Sequence, residues 1–252
     1  MEFIDISLVL LCFAAGLVDA VAGGGGLIQL PGLMIIFPDV AAARLIATNK
    51  IAAISGTGLA AYRYLKRFKL SAVELYIFGP LSLLGSVFGA ALISYADDQW
   101  IKPFLVVVLA AIFVLTFFTK AKSDESAPAP EIKALYLAGL CILVIGFYDG
   151  FLGPGTGGFF IFLAVQLLHF NYGRAGALGK YLNLMSNLGS LGFFAFEVEL
   201  LWDKGVLMAV SNIAGAYVGS HLALKKGAKF IRTMMLIVTG ALLIKLGMDV
   251  IY

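Results

Sequence analysis

Charge is the scarcest property of this chain. Only 13% of its residues are Asp, Glu, Lys or Arg, about half the share in soluble domains. Hydrophobic residues make up 61% and the mean hydropathy is +0.98. That shortage excludes a water-soluble fold, and the chain reads as an integral membrane protein. A net charge of +3, with no basic patch interleaved with aromatics, excludes nucleic acid as a partner. Cysteine is nearly missing. Cys12 and Cys141 both lie in apolar segments and leave no basis for a disulfide framework. His169 and His221 stand alone, without the spacing of a metal site. No serine elbow is present. Gly153, Gly155 and Gly158 match G-x-G-x-x-G, but no strand–turn–helix unit surrounds them. No enzyme, metal or cofactor is therefore expected. The opening MEFIDISLVL lacks a basic stretch and reads as the start of a mature membrane protein, not as a cleaved signal peptide.

What is present is a series of long apolar runs. A spanning helix needs about 20 such residues. Segments 3–22, 41–62, 72–95, 101–119, 133–151, 175–196, 204–223 and 230–250 come near or exceed that length. Two shorter apolar pieces, 27–37 and 158–170, follow glycine-rich breaks. One polar stretch, KAKSDESAPAPEIK, divides the chain into a first transmembrane repeat at 1–119, a linker at 120–132 and a second repeat at 133–252.

Sliding the sequence by 130 residues supports that division. Gly16 falls on Gly146, Asp19 on Asp149, Gly23 on Gly153, Gly25 on Gly155, Arg44 on Arg174, Lys50 on Lys180, Gly85 on Gly215 and Gly89 on Gly219. Few other positions match, but scarce charges recur in register without a gap. Lys and Arg favour the cytoplasmic side. YRYLKRFKLS is basic while its counterpart FEVELLWDKG is acidic; ADDQW is acidic while its counterpart KKGAKFIR is basic. Equivalent loops then lie on opposite sides, so the repeats are inverted. The expected fold is an all-α integral membrane protein. It is a polytopic helical bundle of two inverted-topology repeats, each a glycine-broken hairpin, re-entrant or fully crossing, plus three transmembrane helices. Counting crossings puts the linker in the cytoplasm and both termini outside.

The hairpin tips are the expected site. Irregular backbone at membrane depth survives only inside protein or beside a water-filled cavity. Half-helices starting at Leu27 and Gly158 would aim positive dipole ends at the tips and favour an anion. The candidate ligands there are Gly23, Gly24, Gly25, Gly26, Gly153, Gly155, Thr156 and Gly157. Lys50 and Lys180 lie well inside apolar helices, where a cation costs about 2.5–3.5 kcal/mol. They should face a cavity or a partner: either an anionic substrate, or the aspartate of the same repeat. Asp19 and Asp149 end the first arms, where the dipole disfavours a carboxylate, so they should pair with a cation or carry a proton. Thr48, Asn49, Asn183, Ser186 and Asn187 share helices with the lysines and either contact substrate or bond between helices. Arg44 and Arg174 read as snorkelling residues. Asp203 and Lys204 read as interfacial. Gly85-x-x-x-Gly89 and Gly215-x-x-x-Gly219 read as packing faces. Glu74 and Lys245 find no role.

AGLVDAVAGGGGLIQLPGLM followed by ATNK, and GFYDGFLGPGTGGFF followed by GKYLNLMSN, resemble the TauE/SafE family, the sulfite exporter or 4-toluenesulfonate uptake permease family, in its YfcA-like branch. The resemblance covers nearly the whole chain. It implies a bacterial inner-membrane transporter of small sulfur-containing anions such as sulfite or sulfonates, with export as the implied direction. The family's motif positions fall on Asp19, Gly23 to Gly26, Thr48, Asn49 and Lys50, and on Asp149, Gly153, Gly155, Lys180, Asn183 and Asn187. Gly179-Lys180 stands where the first half has Asn49-Lys50, so the half-sites are not chemically equal. The expected partners are a small anionic substrate and the lipid bilayer, with oligomeric state open. Two rivals stand beside this reading. One is a cation or metal permease built on Asp19 and Asp149. The other is a non-transporting membrane scaffold whose charges form internal salt bridges, with no water-accessible cavity at Lys50.

Overall fold

The computed structural model describes residues 3–95 and 131–226, with single positions 107, 233 and 237. The spans expected at 101–119 and 230–250, Lys245, and linker residues 120–130 lie outside the described residues. Among the described residues every regular element is a helix. The first half contributes α1 (Phe3–Ala22), α2 (Gly25–Ile36), α3 (Ala42–Arg67) and α4 (Gly79–Ile93), the last entered through a π-helical turn at Glu74–Phe78. The second half contributes α5 (Ile132–Phe151), α6 (Thr156–Gln166), α7 (Tyr172–Glu197) and α8 (Trp202–Lys226). Among the described residues four stretches are long and apolar enough to cross a bilayer: Ile4–Ala22, Glu74–Ile93, Ile132–Phe151 and Trp202–Lys226. Their outward faces carry exposed apolar side chains such as Leu10, Phe88, Tyr136 and Val210. That is inverted for a protein in water and ordinary for one in lipid.

Each half opens with a long arm and a short one. The 20 residues of α1 span about 30 Å and the 12 of α2 about 18 Å. The chain turns between them at Gly23, whose φ of +75° suits glycine. The short arms begin at Gly25 and Thr156, two residues before the expected Leu27 and Gly158. Glycines already inside a packed tip adopt helical angles without exposing backbone to lipid. The long helices also outrun expectation. α3 continues through the basic segment to Arg67 and α8 to Lys226, so these cations occupy last helical turns, not loops. The negative end of a helix favours them there. Arg63 Nη1 donates to Tyr217 O at 2.7 Å, with its guanidinium 4.5 Å from the Tyr217 ring centre.

The offset of 130 residues maps α3 onto α7 residue for residue. These two helices pack antiparallel. Gly173 and Gly176 at the start of α7 meet Phe68 and Tyr64 at the end of α3. Arg44 at the start of α3 donates to Glu199 O, just past the end of α7. The outer helices exchange between halves: α1 packs on α8, and α5 on α4. Glycines permit both contacts. A Cβ on Gly85 would lie 2.2 Å from Leu143 O, and one on Gly215 only 2.0 Å from Phe13 O. In lipid, such close backbone approach stands in for the hydrophobic effect.

Candidate functional site

The two glycine tips meet in the centre of the bundle. Gly158 N donates to Gly23 O at 3.2 Å. A Cβ on Gly23 would sit 2.2 Å from the Gly157 carbonyl carbon, so the glycine runs serve first as a contact between tips. Thr156 Oγ1 donates to Gly153 O, and Tyr148 Oη to Pro154 O, each at 2.7 Å. These bonds fix the second turn from inside.

Beside the tips lie two buried ion pairs, and they cross between the halves. Lys50 Nζ is 3.1 Å from Asp149 Oδ2 and donates to Asp149 O at 2.7 Å. Lys180 Nζ donates to Asp19 O and is 3.4 Å from Asp19 Oδ2. The expected pairing within one repeat is thereby corrected. Each tip lies beside the long helix of the other half, as Gly153 does beside Lys50. The aspartate at the end of a long arm therefore meets the other half's lysine first. Both lysines are fully buried. Removing either partner would strand a charge, which costs about 3–5 kcal/mol.

The pairs flank a cavity with about 20 Å³ for the centre of a water molecule, room for one. Of the expected site residues, Asp19, Gly23, Gly25, Gly26, Asn49, Lys50, Asp149, Gly153, Gly157, Asn183 and Asn187 line it. The remaining six do not, among them Ser186, whose Oγ donates to Asn183 O within α7. Thr48 Oγ1 donates to Arg44 O and accepts from Leu201 N, holding a helix junction. Gly24 caps α2, and Gly155 caps α6 with φ +80°. Thr156 is turned onto Gly153 O, and Lys180 lies behind Asp19. The backbone N–H groups are partly consumed as well. Gly25 N points at Asp19 Oδ1 at 3.4 Å, so α2's positive end already faces a carboxylate.

Three polar lining side chains escaped the sequence reading: Gln29, Thr57 and Asn212. Asn212 Nδ2 donates to Gln29 Oε1 at 2.9 Å, and Thr57 Oγ1 donates to Asp19 Oδ2 at 3.0 Å. Their counterparts across the offset are, in the order Gln29, Thr57, Asn212, the residues Phe159, Asn187 and Ser82, so a search for repeated residues passes over them. The signal was the opposite one: a glutamine alone in an apolar half-helix. Gln29 Nε2 and Asn49 Oδ1 are buried and have no hydrogen-bond partner. Buried polar atoms are nearly always satisfied, so two unsatisfied ones on one cavity mark it as a place for a polar guest.

Outside the cavity, the arginines are ion-paired and not merely snorkelling. Arg44 lies 3.2 Å from Glu199, and Arg174 lies 2.6 Å from the buried Glu74, which thereby gains the role it lacked. Lys204 sits 2.8 Å from Asp5. Among the described residues no three His, Cys, Asp or Glu side chains come together as a metal site.

The family model described as "Sulfite exporter TauE/SafE" matches residues 8–246. The chain belongs to the TauE/SafE family of membrane transporters. It is 37% identical over 240 residues to a Sinorhizobium protein named "Probable membrane transporter protein ORF9", covering 94% of this chain and 90% of that one. It is 34% identical over 237 residues to "Probable membrane transporter protein YfcA" of Escherichia coli K12, covering 93% and 86%. A Haemophilus influenzae "Probable membrane transporter protein" is 34% identical over 248 residues, covering 98% and 96%. No solved structure matches significantly. In this TauE/SafE protein both motif aspartates, Lys50 and most of the motif glycines therefore line one cavity between the halves.

Proposed function

We propose that the chain exports small sulfur-containing anions (sulfite, sulfonates or related organic anions) across the bacterial inner membrane, with both termini periplasmic. The observation that carries the reading is the pair of buried lysines beside a polar cavity under two glycine tips. Lys50 reaches the cavity directly, and the ammonium has three donors, of which two face Asp149. Gln29 Nε2 offers a further donor with no present partner. Inverted repeats suit this function. They are supported by the antiparallel packing of α3 on its own counterpart α7, and by ion pairs that exchange equivalent residues. A two-fold relation between halves produces that exchange. A cavity that holds one water is too small for a sulfonate. The halves must therefore part for the anion to enter, as alternating access requires.

A cation permease is disfavoured because each aspartate already holds a lysine, and among the described residues no three His, Cys, Asp or Glu side chains gather there. A scaffold is disfavoured by the cavity at Lys50 and by transporter relatives. The test is ligand-induced thermal stabilisation of the purified protein by sulfite, sulfate, thiosulfate, short sulfonates, carboxylates and divalent cations. A ligand at 100 times its dissociation constant adds about 2.7 kcal/mol. Stabilisation by a sulfur oxyanion, lost in Lys50→Ala, is the expected result. Stabilisation by cations alone would sink the reading.

A further inference from the structure

The two crossed pairs are not held alike. The Asp19 carboxylate has three neighbouring donors: Lys180 Nζ at 3.4 Å, Thr57 Oγ1 at 3.0 Å and Gly25 N at 3.4 Å. Asp149 Oδ2 has the Lys50 ammonium at 3.1 Å and no aligned hydrogen bond. The counterpart of Thr57 is Asn187, and its amide turns away to Asn183 O at 2.6 Å. Each hydrogen bond lost to a charged group costs more than one lost between neutral groups. Protonating Asp149 therefore sacrifices less than protonating Asp19.

We propose that Asp149 takes up one proton when a singly charged sulfur oxyanion binds at Lys50, so that the transporter moves anion and proton together. This inference rests on the anion reading given above. Charge balance drives it. The closed site holds Lys50, Lys180, Asp19 and Asp149 at a formal sum of zero. A monoanion alone would leave a net negative charge buried among apolar helices, an expensive state. One proton on the Asp149 carboxylate returns the sum to zero. It also frees the Lys50 ammonium, still charged, to turn from the carboxylate to the anion. The proton comes from water or the buffer acid, whose bond to it breaks as the new O–H forms; no other bond changes.

The titratable groups that bear on Asp149 are few among the described residues. α3 supplies Lys50, and across the cavity α1 and α7 supply Asp19 and Lys180. Tyr148 precedes Asp149 on α5, with its hydroxyl on Pro154 O. α4 and α6 contain no titratable side chain.

The experiment is calorimetric titration of the purified protein with methane-, ethane- and 4-toluenesulfonate, which do not titrate near neutral pH. Each titration is run in two buffers of different ionisation heat, which counts the protons taken up. The expected result is one proton per sulfonate bound. Affinity should fall about tenfold per unit rise in pH while Asp149 is ionised in the free protein. In Asp149→Asn both the uptake and the pH dependence should vanish; in Asp19→Asn both should persist. Binding by the wild type without proton uptake would overturn the coupling and leave the anion reading standing. Uptake abolished by Asp19→Asn but kept in Asp149→Asn would overturn the assignment. Binding by none of the three sulfonates would overturn both. The wild-type proton count decides the coupling even if a variant fails to fold.

Discussion

The two half-sites match in position across the 130-residue offset and differ in chemistry. Around Asp19 lie Thr57, Gln29, Asn212 and the first turn of α2; around Asp149 lies Lys50 and little else that donates. Phe159 replaces the glutamine, and Ser82 stands at the position of Asn212. Ser82 Oγ donates to Leu182 O instead of facing the cavity. The parts that shape the fold are shared across the offset: tip glycines, crossed charges and close-packing glycines on α4 and α8. The polar wall is not shared. A symmetric scaffold thus encloses an asymmetric cavity, with one carboxylate firmly held and the other loosely.

The sharpest way to break the comparison is to remove one lysine at a time. Lys50→Met and Lys180→Met should each destabilise the protein by about 3–5 kcal/mol, since each leaves a buried carboxylate without its counter-ion. The pair should separate with pH. Lowering the pH should recover more stability in Lys50→Met, because protonation neutralises a carboxylate with few other donors. Asp19 keeps Thr57 and Gly25 in Lys180→Met, so its recovery should be smaller. Thermal unfolding from pH 8 to pH 5 reads both. Equal pH profiles would mean that the two aspartates are equivalent after all.

Next in size are the tips. Gly23→Ala combines a φ of +75° with a Cβ 2.2 Å from Gly157 backbone, and backbone cannot swing aside. It should cost about 2–4 kcal/mol, within the range of strain and overpacking together. Gly24→Ala meets only Leu27 Cδ1 at 3.1 Å, the mobile end of a side chain, and should cost under about 1 kcal/mol. Similar losses for the two would show that the tips do not interlock.

A smaller contrast concerns the hydroxyl that steadies Asp19. Thr57→Val removes a hydrogen bond to a charged group and should cost about 1.5–3 kcal/mol. Asn187→Leu on the other side removes bonds made within its own helix, to Asn183, and should cost about 1 kcal/mol or less. Denaturation of each variant in the same detergent checks the difference.

These contrasts also mark what the sequence could reveal. Scarce charges recurring at one offset identified equivalent positions in the two halves, and four adjacent glycines in an apolar run exposed a backbone break. Both signals are local and chemical. The crossing of the ion pairs was not legible, because an offset identifies equivalent residues without saying which half each one touches. The in-repeat pairing of Asp19 with Lys50 was as consistent with the sequence as the observed pairing with Lys180. Arg174 looked like a snorkelling residue because its partner, Glu74, lies 100 positions away and has no charged match of the same sign. Gln29 and Asn212 were passed over for a related reason: a search for repeats discards what does not repeat, and the polar wall is made of such residues.

Gln29 therefore offers the finest test. Its Nε2 is buried without a partner, so Gln29→Leu removes an unsatisfied donor while costing Asn212 its acceptor. The two effects are each about 1–3 kcal/mol and opposed, so stability should change by less than about 1 kcal/mol. Ligand response should not be spared. If Nε2 meets an anion oxygen, losing that hydrogen bond should weaken sulfonate affinity about tenfold or more, the equivalent of about 1.4 kcal/mol. Phe159→Leu, at the matching position of the other half, should leave affinity unchanged, since that ring packs on Tyr148 away from the cavity. Titration of both variants with one sulfonate decides it. Equal affinities would mean that the polar wall of the first half supports the fold alone, and that the anion is held by the lysine without orientation from the amide.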